Sequence, residues 1–374
     1  MNQPIPFHRP TVLGTEIEHL SALLAGTKGQ FVGEVEKVLK SLTGAEEVLL
    51  TTSCTHALEM CALLLDIQPG DEIIMPSFTF VSAANAFVLR GARIVFVDIQ
   101  AGTLNIDPAC VQAAINERTK AVLTMHYGGI ACEMERLQAI TQQAGVVLIE
   151  DAAHCIDSYY QTQHLGTFGD LGTLSFHYTK NVQCSEGGAL LINNERYLER
   201  ALVLRDKGTN RRAFLDGQVD RYSWVDVGSS YTLGEVNAAM LLPQLLAVEG
   251  LTTKRQLLWS RYYLGLKEYL PFDYLPVIPP DAKGNAHLFP LHCRDAQERV
   301  ALQHHLKEHN IQAYFHYVPL HTSQAGQQFG VFHGEDCYTT KCSGALLRLP
   351  LYTSMTTNEV DRVIHCIRDF YSKA

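Results

Sequence analysis

No apolar run in this 374-residue sequence approaches the ~18 residues of a membrane-spanning helix, so a helical membrane protein is excluded. A basic excess is also missing. Lys and Arg number 30 against 39 Asp and Glu, a net charge of −9 with His neutral, which leaves no chain-wide footprint for nucleic acid or anionic lipid. Cysteine is present ten times but never as C-x-x-C. Thiols scattered from Cys54 to Cys366 read as reduced residues of a cytoplasmic protein, not as a disulfide or zinc framework. The opening Met1–His8 lacks a basic stretch followed by an apolar one, so no secretory leader is expected. Internal repeats, low-complexity tracts and long charge runs are absent as well. What remains is a chain 47% hydrophobic and long enough for two or three packed units, hence a globular protein with a large core.

Over the first two-thirds, short apolar runs alternate with segments of helical periodicity. The runs are Glu47–Thr51, Glu72–Pro76, Arg93–Asp98, Lys120–His126, Val146–Glu150, Thr173–His177 and Ala189–Ile192; Ala57–Leu65 and Glu135–Ala144 exemplify the helices. Val146–Ile149 is apolar at every position, as in a strand buried on both faces. This alternation predicts an α/β fold with a mostly parallel sheet flanked by helices. Past Thr232 the texture changes: long helices at Leu233–Val248 and Thr253–Tyr269, a proline-rich connector at Pro271–Pro280, then an apolar run at His287–Leu291 and helices near Gln297–His309 and Asn358–Tyr371. We expect a large domain over residues 1–250 and a smaller α+β domain over 251–374.

In open parallel sheets, ligands gather beyond the carboxyl ends of the strands. Thr52–His56 follows the first strand and leads into a helix, where free N–H groups suit a phosphate, although such a turn can equally be a plain helix cap. Asp151 ends a buried strand, where an acid needs a cation or hydrogen-bond donors. Lys180 lies 29 residues later near another strand end, close to Gly187 and Gly188. A desolvated lysine is the amine used for Schiff bases. Together these meet what pyridoxal phosphate asks of a protein: an amine, a carboxylate for the pyridine nitrogen and a phosphate cup. Ser53, Cys54, Thr55 and Ser175 are candidates for the cup, and Phe80 for stacking on the ring.

The stretches Thr51–Thr55, Asp71–Glu72 with Pro76–Phe80, Ile149–Ala153, Leu165–Gly169, Ser175–Asn181 with Glu186–Gly188, and Tyr314–His321 span nearly the whole chain. In these the chain resembles the DegT/DnrJ/EryC1/StrS sugar aminotransferases, of the fold type I group of pyridoxal phosphate enzymes. The resemblance implies that Lys180 carries the cofactor and moves protons, that Asp151 pairs with the pyridine nitrogen, and that His154 stands near the cofactor's 3-hydroxyl, where the family often has Gln. Cys54, Thr55 and Ser175 would bind the phosphate, with Ser230 reaching it across a dimer interface, where the family often has Asn. Glu186, Tyr317 and His321 would border the sugar nucleotide. The implied partners are L-glutamate and a nucleotide-linked keto sugar, within a homodimer that shares its active sites. The C4 ketone of dTDP-4-dehydro-6-deoxy-D-glucose is the expected acceptor, giving the galacto product. The gluco epimer, a 3-keto substrate and a non-catalytic binder are the alternatives.

Other motifs draw less. His305-Leu-Lys-Glu-His309 matches the H-x-x-E-H zinc-peptidase pattern, but the sequence offers no third ligand, and a solvated helix face is expected with no metal site. Arg211 and Arg212 suit a diphosphate or an ordinary loop equally well. No G-x-G-x-x-G follows the first strand, which argues against a dinucleotide enzyme.

Overall fold

The computed structural model describes residues 3–373. Its longer strands are β1 (Glu47–Thr51), β2 (Glu72–Pro76), β3 (Arg93–Val97), β4 (Thr119–Met125), β5 (Val147–Asp151), β6 (Leu171–Ser175), β7 (Gly188–Ile192), β8 (Phe289–His292), β9 (Gly330–Phe332) and β10 (Leu346–Leu349). Eight of them form one sheet in the order β1-β7-β6-β5-β4-β2-β3-β9. The run from β6 to β9 is parallel throughout, and β7 is antiparallel to both β1 and β6.

Side chains alternate faces along each strand, and the core divides accordingly. Ile149, Leu171, Leu190, Ile73 and Ile94 pack under the Cys54–Leu64 and Val81–Val88 helices. Their neighbours Leu148, Ile74, Val95 and Val122 pack on the opposite side with Met134 and Leu137. Each such aliphatic side chain contributes roughly 1.5–3 kcal/mol by leaving water. Strands covered on both faces need no polar residue until they end, which is why they read as unbroken apolar runs.

The expected helices past Thr232 are Glu235–Leu246 and Val248–Leu266, broken at Ala247. A smaller antiparallel pair, β8 with β10, packs with the Ala296–Glu308 and Thr357–Lys373 helices. The amino-terminal arm joins this unit: Ile5 bridges Ile311 and is buried in the same core. Strand β9 was not foreseen. Three residues hydrogen-bonded to a sheet edge leave no periodic signature in a sequence. No helix is long and apolar enough to cross a membrane among the described residues.

Candidate active site

A cavity of about 850 Å³ opens at the carboxyl ends of β1, β2, β5 and β6. Lys180, Asp151, His154, Ser175, Ser53, Cys54, Thr55, Phe80, Glu186 and Tyr317, expected from sequence, all line it. Strands β5 and β6 are parallel neighbours, with Asp151 opposite Thr173, so Asp151 and the loop after Ser175 meet at one rim. That loop turns back on itself: Phe176 and Tyr178 accept and donate across to Cys184, Ser185 and Gly187, and Lys180 N–H donates to His177 O at 2.9 Å. The turn presents Lys180 above the sheet.

Burial controls the charges here. It lowers the pKa of Lys180, an effect only partly offset by Cys54 and Asp151. It raises that of Asp151 against the opposing pull of Ala153 N–H and Lys180. The Asp151 carboxylate accepts one side-chain hydrogen bond among the described residues, from Ala153 N–H at 3.0 Å. Its second oxygen is left for a cationic donor. The His154 imidazole is held well below its usual pKa by burial, reinforced by Lys180 and His287. Gly128 N–H donates to His154 Nδ1 at 3.2 Å, so the ring proton sits on Nε2.

The residues expected to form a phosphate cup stand at the N-terminus of the Cys54–Leu64 helix. Ser53 caps it, its hydroxyl accepting from His56 N–H at 3.1 Å. First-turn N–H groups at Cys54 and Thr55 have no intrahelical acceptor. Burial pushes the Cys54 thiol up to about 12, so it stays protonated. Thr55 donates to Ser82 at 2.8 Å, which puts another hydroxyl beside the helix end. Gly188 lets β7 approach this end, since a Cβ there would collide with the Ser53 carbonyl and the Cys54 amide. A ring of hydroxyl, thiol and amide donors at a helix N-terminus, with a buried amine and an under-satisfied carboxylate nearby, fits pyridoxal phosphate.

Phe80, 54% exposed, stands at the cavity rim with its ring 6.4 Å from that of Tyr317. Tyr317 stacks on His316 at 3.7 Å and meets Phe78 edge-on at 5.4 Å. Glu186 is exposed and faces His177 at 3.4 Å.

Three expected residues lie outside the cavity lining. The His321 ring bonds Ser77 Oγ at 2.7 Å and Asp336 at 3.2 Å, which pins the Leu320–Thr322 turn against the end of β2. Ser230 and Arg211 are exposed on the segment that also exposes Phe214, Leu215, Tyr222 and Trp224. Conversely, the cavity includes residues that sequence reasoning missed: Phe7 and His8 of the amino-terminal arm, Arg255, His287 and Arg348. An arginine inside the apolar run Leu346–Leu351 was a signal for the last of these.

The structure brings to the H-x-x-E-H pattern a third candidate ligand, Cys366, that the sequence did not offer. His305, His309 and Cys366 bring one ligand atom each within 4.8 Å of one another. Glu308, the would-be base, faces His304 at 3.5 Å instead.

A sheet of this topology, with an amine and an acid at adjacent strand ends over a helix N-terminus, defines a fold type I pyridoxal phosphate transferase. The chain belongs to the DegT/DnrJ/EryC1/StrS aminotransferase family, whose model matches residues 14–368. It is therefore a pyridoxal-phosphate-dependent sugar aminotransferase. It is 32% identical to the spore coat polysaccharide biosynthesis protein SpsC of Bacillus subtilis, over 100% of this chain and 98% of that protein. The aminotransferase TlmJ of Streptoalloteichus hindustanus superposes with a TM-score of 0.90 at 28% identity, covering 99% of this chain and 100% of that one. DesV of S. venezuelae, solved in complex with a ketimine intermediate, gives 0.90 at 26% identity with 100% of both chains covered.

Proposed function

We propose that this enzyme moves the amino group of L-glutamate to C4 of dTDP-4-dehydro-6-deoxy-D-glucose, giving dTDP-4-amino-4,6-dideoxy-D-galactose for a surface polysaccharide. The observation that carries the reading is the pair Lys180 and Asp151 at adjacent strand ends, facing one cavity with an open helix N-terminus. Support for the acceptor comes from Pro69–Val97, Lys207–Asn210, Asp226–Tyr231 and Phe332–Lys341, which resemble the transaminase that makes this galacto sugar. SpsC, by its name, serves polysaccharide biosynthesis too.

When bound, pyridoxal phosphate supplies an electron sink for the pair released at the amino-bearing carbon. The protein does the rest. The donors of Ser53, Cys54, Thr55 and Ser175 would hold its phosphate. Asp151 would keep the ring nitrogen protonated, and Phe80 would cover the ring. His154, a neutral donor through Nε2, would serve the 3-hydroxyl. Lys180, made less basic by burial, takes the proton from the donor's α-carbon and returns one to C4 of the sugar. The face from which it delivers that proton sets galacto or gluco.

The exposed Phe214, Leu215, Tyr222 and Trp224, with Trp224 79% exposed, form an apolar surface that suits cover by a second copy. In such a homodimer Ser230 and Arg211 would reach the partner's site. The cytoplasm, where thiols stay reduced, suits ten cysteines without a C-x-x-C pair.

Proton NMR of the product tests the reading. A small H3–H4 coupling marks the axial amine of the galacto sugar, and a large one marks the gluco epimer. No amination, with borohydride still fixing cofactor to Lys180, means another keto sugar. No cofactor binding removes the proposal altogether.

A further inference from the structure

The Ala296–Glu308 and Thr357–Lys373 helices share one buried core through Leu302, Leu306, Val363 and Ile367. At the carboxyl end of the first helix, His305 and His309 stand one turn apart on the same face, with ring centres 4.4 Å from each other. Cys366, 61 residues after His305, comes from the second helix and is buried in that core. Two imidazole nitrogens and a thiol sulfur, one from each residue, thus lie within 4.8 Å of one another. Backbone contacts hold them there. His305 Nε2 is 3.2 Å from the Cys366 carbonyl, and Arg362 of the second helix donates to the His309 carbonyl at 2.6 Å. His309 Nδ1 donates to the His305 carbonyl at 2.8 Å, which leaves the lone pair of the neutral ring on Nε2. A backbone bond of this kind is what orients a metal-binding histidine.

Around a tetrahedral zinc ion, ligand atoms stand about 3.3–3.8 Å apart, so a closure of about 1 Å by side-chain rotation completes the set. A thiolate with imidazoles suits zinc(II) and excludes calcium and magnesium, which take oxygen ligands. We propose that His305, His309 and Cys366 bind a zinc(II) ion that ties the Thr357–Lys373 helix to the end of the Ala296–Glu308 helix. On binding, the Cys366 S–H bond breaks, its proton goes to solvent and a zinc–sulfur bond forms. Both imidazoles bind neutral, water takes the fourth position, and no oxidation state changes. A surface groove lined by His304, His305, Glu308 and Phe370 admits the ion. The site is structural and not hydrolytic, because Glu308, the would-be base for zinc-bound water, faces His304 at 3.5 Å. The proposal goes beyond the aminotransferase reading and does not depend on it, since none of the three ligands lines the cavity around Lys180.

The test titrates zinc chloride by calorimetry into cofactor-loaded protein freed of metal with a chelator, and uses cobalt(II) as a coloured substitute. Wild type is expected to bind zinc at this site and to melt at a higher temperature with it. With cobalt it should show the thiolate charge-transfer band and the strong visible bands of a tetrahedral centre. His309→Gln, at an exposed position, and Cys366→Ala should each weaken zinc about 100-fold or more, beyond the roughly 10–100-fold cost of an outer-sphere change. Both should lose the zinc-dependent rise in Tm. If Cys366→Ala does not fold, the cobalt–thiolate band of the wild type, lost in His309→Gln, stands in for it. Zinc binding without a thiolate band, or equal in wild type and Cys366→Ala, overturns the three-ligand site in favour of a histidine pair. Binding unchanged in His309→Gln, or none by wild type, overturns it outright. These readouts need no turnover, so a failure of the aminotransferase reading leaves them intact.

Discussion

Glu150 and Asp151 are consecutive residues of one strand, and both are buried acids, yet they have opposite fates. Glu150 points to the face of Leu148. There its oxygens accept N–H bonds from Gly166, Phe168 and Gly169 at 2.6–2.8 Å and from His126 Nε2 at 2.8 Å. Cys132 N–H approaches the other nitrogen of His126, so it is Nε2 that donates to the carboxylate. Asp151 points to the opposite face, with one hydrogen bond and a desolvated charge. A satisfied buried acid is architecture; an under-satisfied one beside a cavity is waiting for a partner.

The sharpest way to break this contrast lies on the cavity side. Lys180→Ala is expected to remove turnover, by about 10⁴-fold or more, while the protein stays folded and borohydride no longer fixes cofactor to it. Asp151→Asn should lower turnover about 10²–10³-fold with little loss of stability, because it removes a desolvated charge. Circular dichroism melting beside the kinetics checks both. Glu150→Ala should do the reverse, costing about 3–5 kcal/mol of unfolding free energy by stranding its donors, while cofactor still binds to the fraction that folds. Equal stability losses for the two acids would defeat the comparison.

Buried histidines sharpen it through pH. His154, His287 and His316 are held below their ordinary value near 6.5 by burial, and His164 is brought down to about 4 by the same cause. Groups whose folded pKa is depressed bind protons more readily in the unfolded chain. Their contribution to stability is therefore fully present above about pH 6.5 and lost as pH falls toward the folded values, by about 1.4 kcal/mol per pH unit for each group. Urea midpoints should drop steeply between pH 6.5 and 4, and His164→Gln should flatten the slope by up to one proton. Glu186 sets the lower bound. Exposed and only loosely paired with His177, it should tolerate Glu186→Gln within about 0.5 kcal/mol in the same urea titration.

Much of this was legible beforehand. Strands β1 and β2 begin and end where the apolar runs do, and the neighbouring strands differ by one or two residues. The helix expected over Ala57–Leu65 starts three residues earlier, so Cys54 and Thr55, read as part of the preceding turn, are first-turn residues. The antiparallel direction of β7 was not legible, because an apolar run reads the same in either direction. Nor was the capping role of Ser53 separable from phosphate binding, since both use a small hydroxyl before a helix. His321 shows the limit of motif reading. Its sequence context points toward a sugar site, whereas its ring is occupied by Ser77, 244 residues away, and by Asp336.

The sequence by itself determined the α/β alternation, the chemistry-bearing residues at strand ends and the family, because each rests on local periodicity or a contiguous motif. Only the tertiary structure decided which side of β5 carries the committed acid and which the free one. It alone folded Phe7, His8, His287 and Arg348, from opposite ends of the chain, into a single cavity. The physical reason is that a burial cost or an unpaired donor exists only once distant segments have excluded the water between them.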